Sequence, residues 1–174
     1  MVFRIALLQL LPEKTLMGQL DKGRAACVKA KEMGADLALF PEMWSDGYSL
    51  PQNSFELEAL SLSRDCKFIT AFEKLASELQ MAIGITFLEK HEPKPLNSFL
   101  LFDRNGTELL HYSKVHTCDF DLEKVLSSGD NFYVSEHVDV DATGKVPVFL
   151  WGHPSAVLTS ANVYLRKLSV VYVV

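Results

Sequence analysis

Apolar runs and amphipathic stretches alternate along the first half of the chain. Residues 3–10 are mostly apolar and predict a buried first strand, closed by Pro12. Residues 16–33 carry a helical period: Leu16, Leu20, Ala26, Ala30 and Met33 share a stripe, with Lys22, Arg24, Lys29 and Lys31 outside it. Gly34 follows as the expected residue just past the helix end. Residues 37–40 are a short apolar run between Gly34 and Pro41, too short for a helix, and predict a second buried strand. Pro41 has no N–H for a sheet and ends that strand. A β-α-β unit implies parallel strands joined by a right-handed crossover.

Residues 43–53 are rich in Trp, Tyr, Gly and Pro and predict a loop. Ser63 or Asp65 is placed to cap a second helix that runs to about residue 80, with Phe68, Phe72, Leu75 and Leu79 inward. Residues 81–88 predict a third strand. Residues 97–102 and 108–112 predict a hairpin around Asn105-Gly106. A polar loop spans residues 113–130, and residues 132–134 and 138–140 are short strand candidates. The tail, residues 168–174, is uncharged and rich in β-branched residues, an aggregation-prone edge if exposed.

A length of 174 residues suits one domain, and a 48% apolar share is enough to build its core. The net charge of −5, with no basic run, argues against nucleic acid or an anionic membrane as partner. No apolar run approaches the length of a transmembrane helix. Gln9 and Glu13 interrupt the apolar N-terminus and no cleavage site follows, so it reads as a strand and not a signal peptide. Cys27, Cys66 and Cys118 lack metal-ligand spacing, and reduced thiols in a cytoplasmic protein are the expectation.

Glu42 falls just past the end of the second strand, where ligands and catalytic groups gather in open α/β sheets. Lys114 follows the hairpin directly, and Glu123 precedes Leu126-Ser127-Ser128-Gly129. Each alone reads as an ordinary solvated charge. Together they lie near the ends of elements of one sheet. A carboxylate beside a lysine can serve as general base while the ammonium steadies developing negative charge. Covalent chemistry would also need a nucleophile.

The chain resembles the nitrilase, or carbon–nitrogen hydrolase, superfamily. The matching segments are Arg4-Ile5-Ala6-Leu7-Leu8-Gln9, the run from Gly34 to Trp44 with its Phe40-Pro41-Glu42, Gly47-Tyr48, Asn97-Ser98, and Tyr112-Ser113-Lys114-Val115-His116, in order and at matching spacing. The resemblance implies an α/β fold, the αββα sandwich, incomplete here at its C-terminal end. It implies association as a homodimer or higher homo-oligomer through a helical face. It implies a Glu-Lys-Cys triad that attacks a nitrile, amide or N-carbamoyl carbon, with neither cofactor nor metal. By position Glu42 looks like the general base, Lys114 like the oxyanion-stabilising lysine, and Glu123 like the additional glutamate of many members.

The departure lies downstream. The family's nucleophile sits in a Cys-x-Asp-x-Arg-x-Pro setting at the end of an apolar strand, but no cysteine follows Cys118 in this sequence. Cys118 reads as a non-catalytic loop residue, and Cys27 and Cys66 as packing residues. Back-translation of residues 150–157, read one nucleotide later, permits Cys-Gly-Asp-Ile-Arg-Leu-Pro; the single Trp codon forces the glycine, and the other residues are allowed choices. The expectation is therefore residues 1–144 as the N-terminal portion of a hydrolase domain and residues 145–174 as a divergent, out-of-frame tail.

Two competing classes remain in view. One is a non-catalytic binding or scaffold protein with a degenerate hydrolase fold, which the missing cysteine favours for this polypeptide. The other is a metal-dependent phosphoesterase, which would need further ligands near strand ends. His111, His116, His137 and His153 are not arranged to supply them.

Overall fold

Strand β1 (Phe3–Leu8), helix α1 (Leu16–Glu32) and strand β2 (Leu37–Leu39) form the expected β-α-β unit, with β1 and β2 parallel in the register Ile5↔Leu37 to Leu7↔Leu39. The computed structural model describes residues 3–118, 122–131, 138–140, 144–146 and 168–173. Thr15 caps α1 through its side chain, which accepts from the Gly18 N–H. Met33 closes the helix, and Gly34 follows with a left-handed backbone.

Helix α2 (Ser54–Leu60) comes next, capped by Asn53. Helix α3 (Lys67–Leu79), strand β3 (Ala82–Glu89) and the hairpin of β4 (Leu96–Phe102) and β5 (Glu108–Ser113) follow. A short 3-10 helix covers Leu122–Val125. Strands β6 (Val138–Val140) and β7 (Gly144–Val146) pair with each other, and β8 (Leu168–Val173) lies parallel to β1. The main sheet has the order β5-β4-β3-β2-β1-β8. β3 runs parallel to β2, β4 antiparallel to β3, and β5 antiparallel to β4. The apolar tail thus occupies a sheet edge. The strand candidate at residues 132–134, and His137 and His153, lie outside the described residues.

α1 and α3 cover one face of the sheet. Their small and aromatic residues meet Ala6, Leu8, Ala38, Ile83, Ile85 and Phe87 in the larger core. A second cluster, including Phe3, Ile5, Leu37, Phe99, Leu101 and Tyr112, forms on the opposite face.

The structure corrects two local expectations and adds a helix to a stretch the sequence left unassigned. The buried face of α1 is Gln19, Gly23, Ala26, Cys27 and Ala30, whereas Leu16 and Met33 are 39% and 43% exposed. The cause is the neighbouring aromatic pair: a Cβ at Gly23 would lie 2.9 Å from ring atoms of both Phe40 and Phe72, so the helix presents small residues there. Cys66, not Ser63 or Asp65, is the N-cap of α3, because the Ser63 hydroxyl donates to the Asp65 carboxylate and neither side chain caps the helix. Helix α2 follows the predicted loop, and its Leu57 is buried with Met43, Leu50, Leu88 and Leu126.

Candidate active site

β2 and β5 are not neighbours in the sheet. β3 and β4 separate them, a distance of about 14 Å at the usual strand spacing. Glu42 and Lys114 meet nevertheless, because the chain after β2 is drawn across β3. The Thr86 hydroxyl on β3 donates to the Pro41 carbonyl and accepts from the Trp44 N–H, clamping the backbone on both sides of Glu42. The Ser45 hydroxyl accepts from the Leu88 N–H at 3.0 Å. Met43, directly after Glu42, adopts a left-handed backbone (φ 55°), as does Tyr48 (φ 61°). Non-glycine residues reach that region uncommonly, mostly where the surroundings impose it. Gly47 (φ 65°) completes the turn, and a Cβ there would lie 2.4 Å from Pro12.

Lys114 follows β5 directly, and its backbone N–H donates to the Asn97 carbonyl at 2.8 Å. Glu123 is carried by the 3-10 helix, which is pinned on several sides. Ser127 N–H donates to the Pro95 carbonyl, Lys94 Nζ to the Lys124 carbonyl, and Gly129 N–H to the Lys114 carbonyl. Gly129 has no room for a side chain, since a Cβ would sit 2.2 Å from the Ser113 carbonyl oxygen.

All three ammonium hydrogens of Lys114 have carboxylate acceptors. Nζ lies 3.0 Å from Glu42 Oε1 and 2.9 Å from each oxygen of Glu123. The side chains are 7% (Lys114), 11% (Glu42) and 1% (Glu123) exposed. Glu123 Oε1 also accepts from the Tyr48 hydroxyl at 2.9 Å and Asn97 Nδ2 at 3.1 Å, and Oε2 from the Cys118 N–H at 2.7 Å. Asn97 Nδ2 reaches Glu42 Oε1 as well, at 2.7 Å.

Electrostatics follow from this geometry. Burial works against both charges, but for Lys114 the bonds to Glu123 and Glu42 prevail and hold its pKa above the ordinary lysine value. Burial likewise pushes Glu123 up, yet the Cys118 N–H, Lys114 and Tyr48 outweigh it and hold the carboxyl below its ordinary range. Burial and the bond to Glu123 raise the Tyr48 hydroxyl, keeping it a neutral donor. Nearby Asp46 is pushed up to about 7 by burial.

Glu42, Lys114 and Glu123, the residues singled out in the sequence, thus form one contiguous cluster. Asn97 and Tyr48 join it without having been assigned a place there. Their signal was a polar pair, Asn97-Ser98, opening an otherwise apolar strand, and a tyrosine beside a loop glycine. Cys118 touches the cluster through its backbone. His111 is elsewhere, 2.7 Å from Glu89.

Glu42, Asn97 and Lys114, with Thr86, Ser98, Phe99 and Tyr112, line a void of about 10 Å³, the room of a single water. A larger groove, about 250 Å³ and lined by Gln52, Leu57, Lys90, Lys94 and Val125 among others, includes none of the three charged residues of the cluster. The void, though far smaller, is the one that meets the chemistry. Among the described residues, no group of three or more His, Cys, Asp or Glu is placed to hold a metal ion, and no helix is long and apolar enough to cross a membrane.

The sequence profile of the carbon-nitrogen hydrolase family matches residues 4–150. An N-carbamoylputrescine amidase from Oryza sativa subsp. japonica is 28% identical over 92 residues, covering 52% of this chain and 31% of that protein. The C. elegans NitFhit protein superposes with a TM-score of 0.65 at 17% identity, over 79% of this chain and 37% of that one. A carbon-nitrogen hydrolase from Helicobacter pylori G27 gives 0.61 at 20% identity, over 72% and 44%. An amidase from Nesterenkonia sp. gives 0.57 at 21% identity, over 71% and 47%. The chain therefore spans about a third of the curated relative and less than half of each of these solved structures. With its α/β fold matching nitrilase-superfamily structures and the profile running through most of its length, the chain belongs to the carbon-nitrogen hydrolase family.

Proposed function

We propose that Glu42, Lys114 and Glu123 are the acid–base and oxyanion part of a hydrolytic centre for non-peptide C–N bonds. The observation that carries this reading is the buried Lys114 ammonium shared between Glu42 and Glu123. In it, Glu42 is the general base. Its Oε1 accepts two hydrogen bonds, and among the described residues none donates to Oε2. Glu123 accepts five bonds, so its lone pairs are committed, and it serves to hold Lys114 in place. Lys114 stabilises the oxyanion that forms when a carbonyl or nitrile carbon is attacked.

The substrate class is a small amide, nitrile or N-carbamoyl compound. The curated relative's name, N-carbamoylputrescine amidase, and the amidase neighbours support that range. The reaction proceeds through a thiolate nucleophile, with neither metal nor cofactor, in a protein that assembles as a homo-oligomer in the cytoplasm. This polypeptide does not supply the thiolate. Cys118 bonds Glu123 through its backbone, and no cysteine follows it in sequence. Residues 145–174 are read as a divergent tail that is out of frame from about Trp151, just past residue 150 where the family profile ends. The chain as it stands is therefore a hydrolase scaffold without turnover. By analogy with a serine triad, loss of a nucleophile costs on the order of 10⁶ in rate.

The test is to sequence the source DNA around codon 150 and express the chain with the frame restored. Codons that yield Cys-x-Asp-x-Arg, and amide turnover that disappears with Glu42→Gln and with Lys114→Met, are expected. Codons that cannot yield that motif, or restored-frame turnover indifferent to Glu42, contradict the reading.

A further inference from the structure

We propose that Asn97 is the positioning residue of this centre: its side-chain amide fixes which oxygen of Glu42 is left to take a proton and ties Glu42 to Glu123. The inference rests on the reading of Glu42 as general base and adds the residue that aims it.

A primary amide has two N–H donors and no more. Nδ2 of Asn97 lies 2.7 Å from Glu42 Oε1 and 3.1 Å from Glu123 Oε1, so each carboxylate takes one hydrogen. Lys114 Nζ is also 3.0 Å from Glu42 Oε1. Oε1 thus carries two donors and, among the described residues, Oε2 carries none, so Oε2 is the oxygen left to act as base. Asn97 can hold that aim because it is itself held. It is 6% exposed, pairs with Leu88 in the β3–β4 register, and its carbonyl accepts from the Lys114 N–H at 2.8 Å. One residue therefore fixes Lys114 through its main chain and both glutamates through its side chain. Aspartate at this position would set a third carboxylate beside two others. Leucine would offer no donor. If Glu42 rotated away, one amide hydrogen would be left buried without a partner, which resists the rotation.

The arrangement is tested on the full chain, labelled with ¹⁵N-asparagine, by NMR of the Asn97 side-chain amide. Glu42→Gln is expected to move one of its two proton resonances and leave the other in place. Glu123→Gln is expected to do the reverse. A crystal structure of Asn97→Ala is expected to show the Glu42 carboxylate turned from its present position. Asn97→Leu, which preserves more of the volume, replaces it if the alanine variant does not fold. Movement of the same resonance, of both, or of neither in the two glutamine variants overturns the proposal, as does an unmoved Glu42 carboxylate in a folded Asn97 variant. The spectra of the two glutamine variants decide if no Asn97 variant folds. Neither readout involves turnover, so failure of this inference is distinguishable from failure of the base assignment, which rests on the restored-frame assay.

Discussion

Lys114 Nζ sits 2.9 Å from both oxygens of Glu123, with the two side chains 7% and 1% exposed. Bulk water screens the pair little at that depth. Removing Lys114 would leave two buried carboxylates without their cation, and removing Glu123 would leave the buried ammonium with Glu42 alone, effects of about 3–5 kcal/mol. The surface pair Lys22–Glu13, at 35% and 44% exposure, is a natural contrast.

The first expectation concerns stability. Glu123→Leu and Lys114→Met should each lower the unfolding free energy by about 3–5 kcal/mol, measured by urea denaturation. Lys22→Ala should change it by less than about 1 kcal/mol. Equal effects at the buried and surface pairs would mean that the cluster is not closed to water.

The second concerns pH. Asp46 has a folded pKa of about 7, raised by burial, so the native state binds its proton more tightly than the unfolded chain does. Stability should fall as pH rises from about 4 toward 7 and then level off. Glu123 has the opposite sign. Its folded pKa is lowered, so its contribution is present above the ordinary glutamate range and is lost as pH falls through the folded value. Lys114 is raised, and its contribution persists below the ordinary lysine value and is lost in more alkaline solution. Urea midpoints recorded across pH should show the decline between about pH 4 and 7 largely removed by Asp46→Asn. An unchanged decline would assign it to another group.

The third concerns the loop behind Glu123. A methyl group at residue 129 would stand 2.2 Å from the Ser113 carbonyl oxygen, so Gly129→Ala must displace the turn that follows the 3-10 helix. Destabilisation by more than about 1 kcal/mol is expected from a substitution the native backbone cannot accept. Loss of hydrogen-exchange protection at the Gly129 and Ser127 amides is the accompanying sign. Protection equal to that of the parent chain would mean that the loop adapts without strain.

Much of the architecture was legible because punctuation and periodicity agreed. Pro41 stopped β2, Gly34 closed α1, and Asn105-Gly106 turned the hairpin. Glu42 stood out for that reason, falling just past a strand and its Pro41 stop, whereas Lys114 follows its strand with no stop signal and stood out through the Tyr112-Ser113-Lys114-Val115-His116 resemblance. What sequence order does not convey is lateral order. Nothing between residues 42 and 114 announces that β3 and β4 lie between their strands, or that Thr86 carries the intervening loop across. The inward face of α1 was misread because apolar size pointed to Leu16 and Met33, whereas the rings of Phe40 and Phe72 required small residues. Asn97 and Tyr48 were visible as letters of the resemblance, but their bonds to the two glutamates arise only from tertiary packing.

The central claim is a hydrolytic centre with base and oxyanion lysine in place and no nucleophile. Ammonia release by the purified 174-residue chain, across a panel of small amides, nitriles and N-carbamoyl amino acids, tests it most directly. No release above the buffer rate is expected. Turnover abolished by Cys118→Ala would make Cys118 the nucleophile, and turnover that survives that change yet requires Glu42 and Lys114 would mean attack by water; either result contradicts the account.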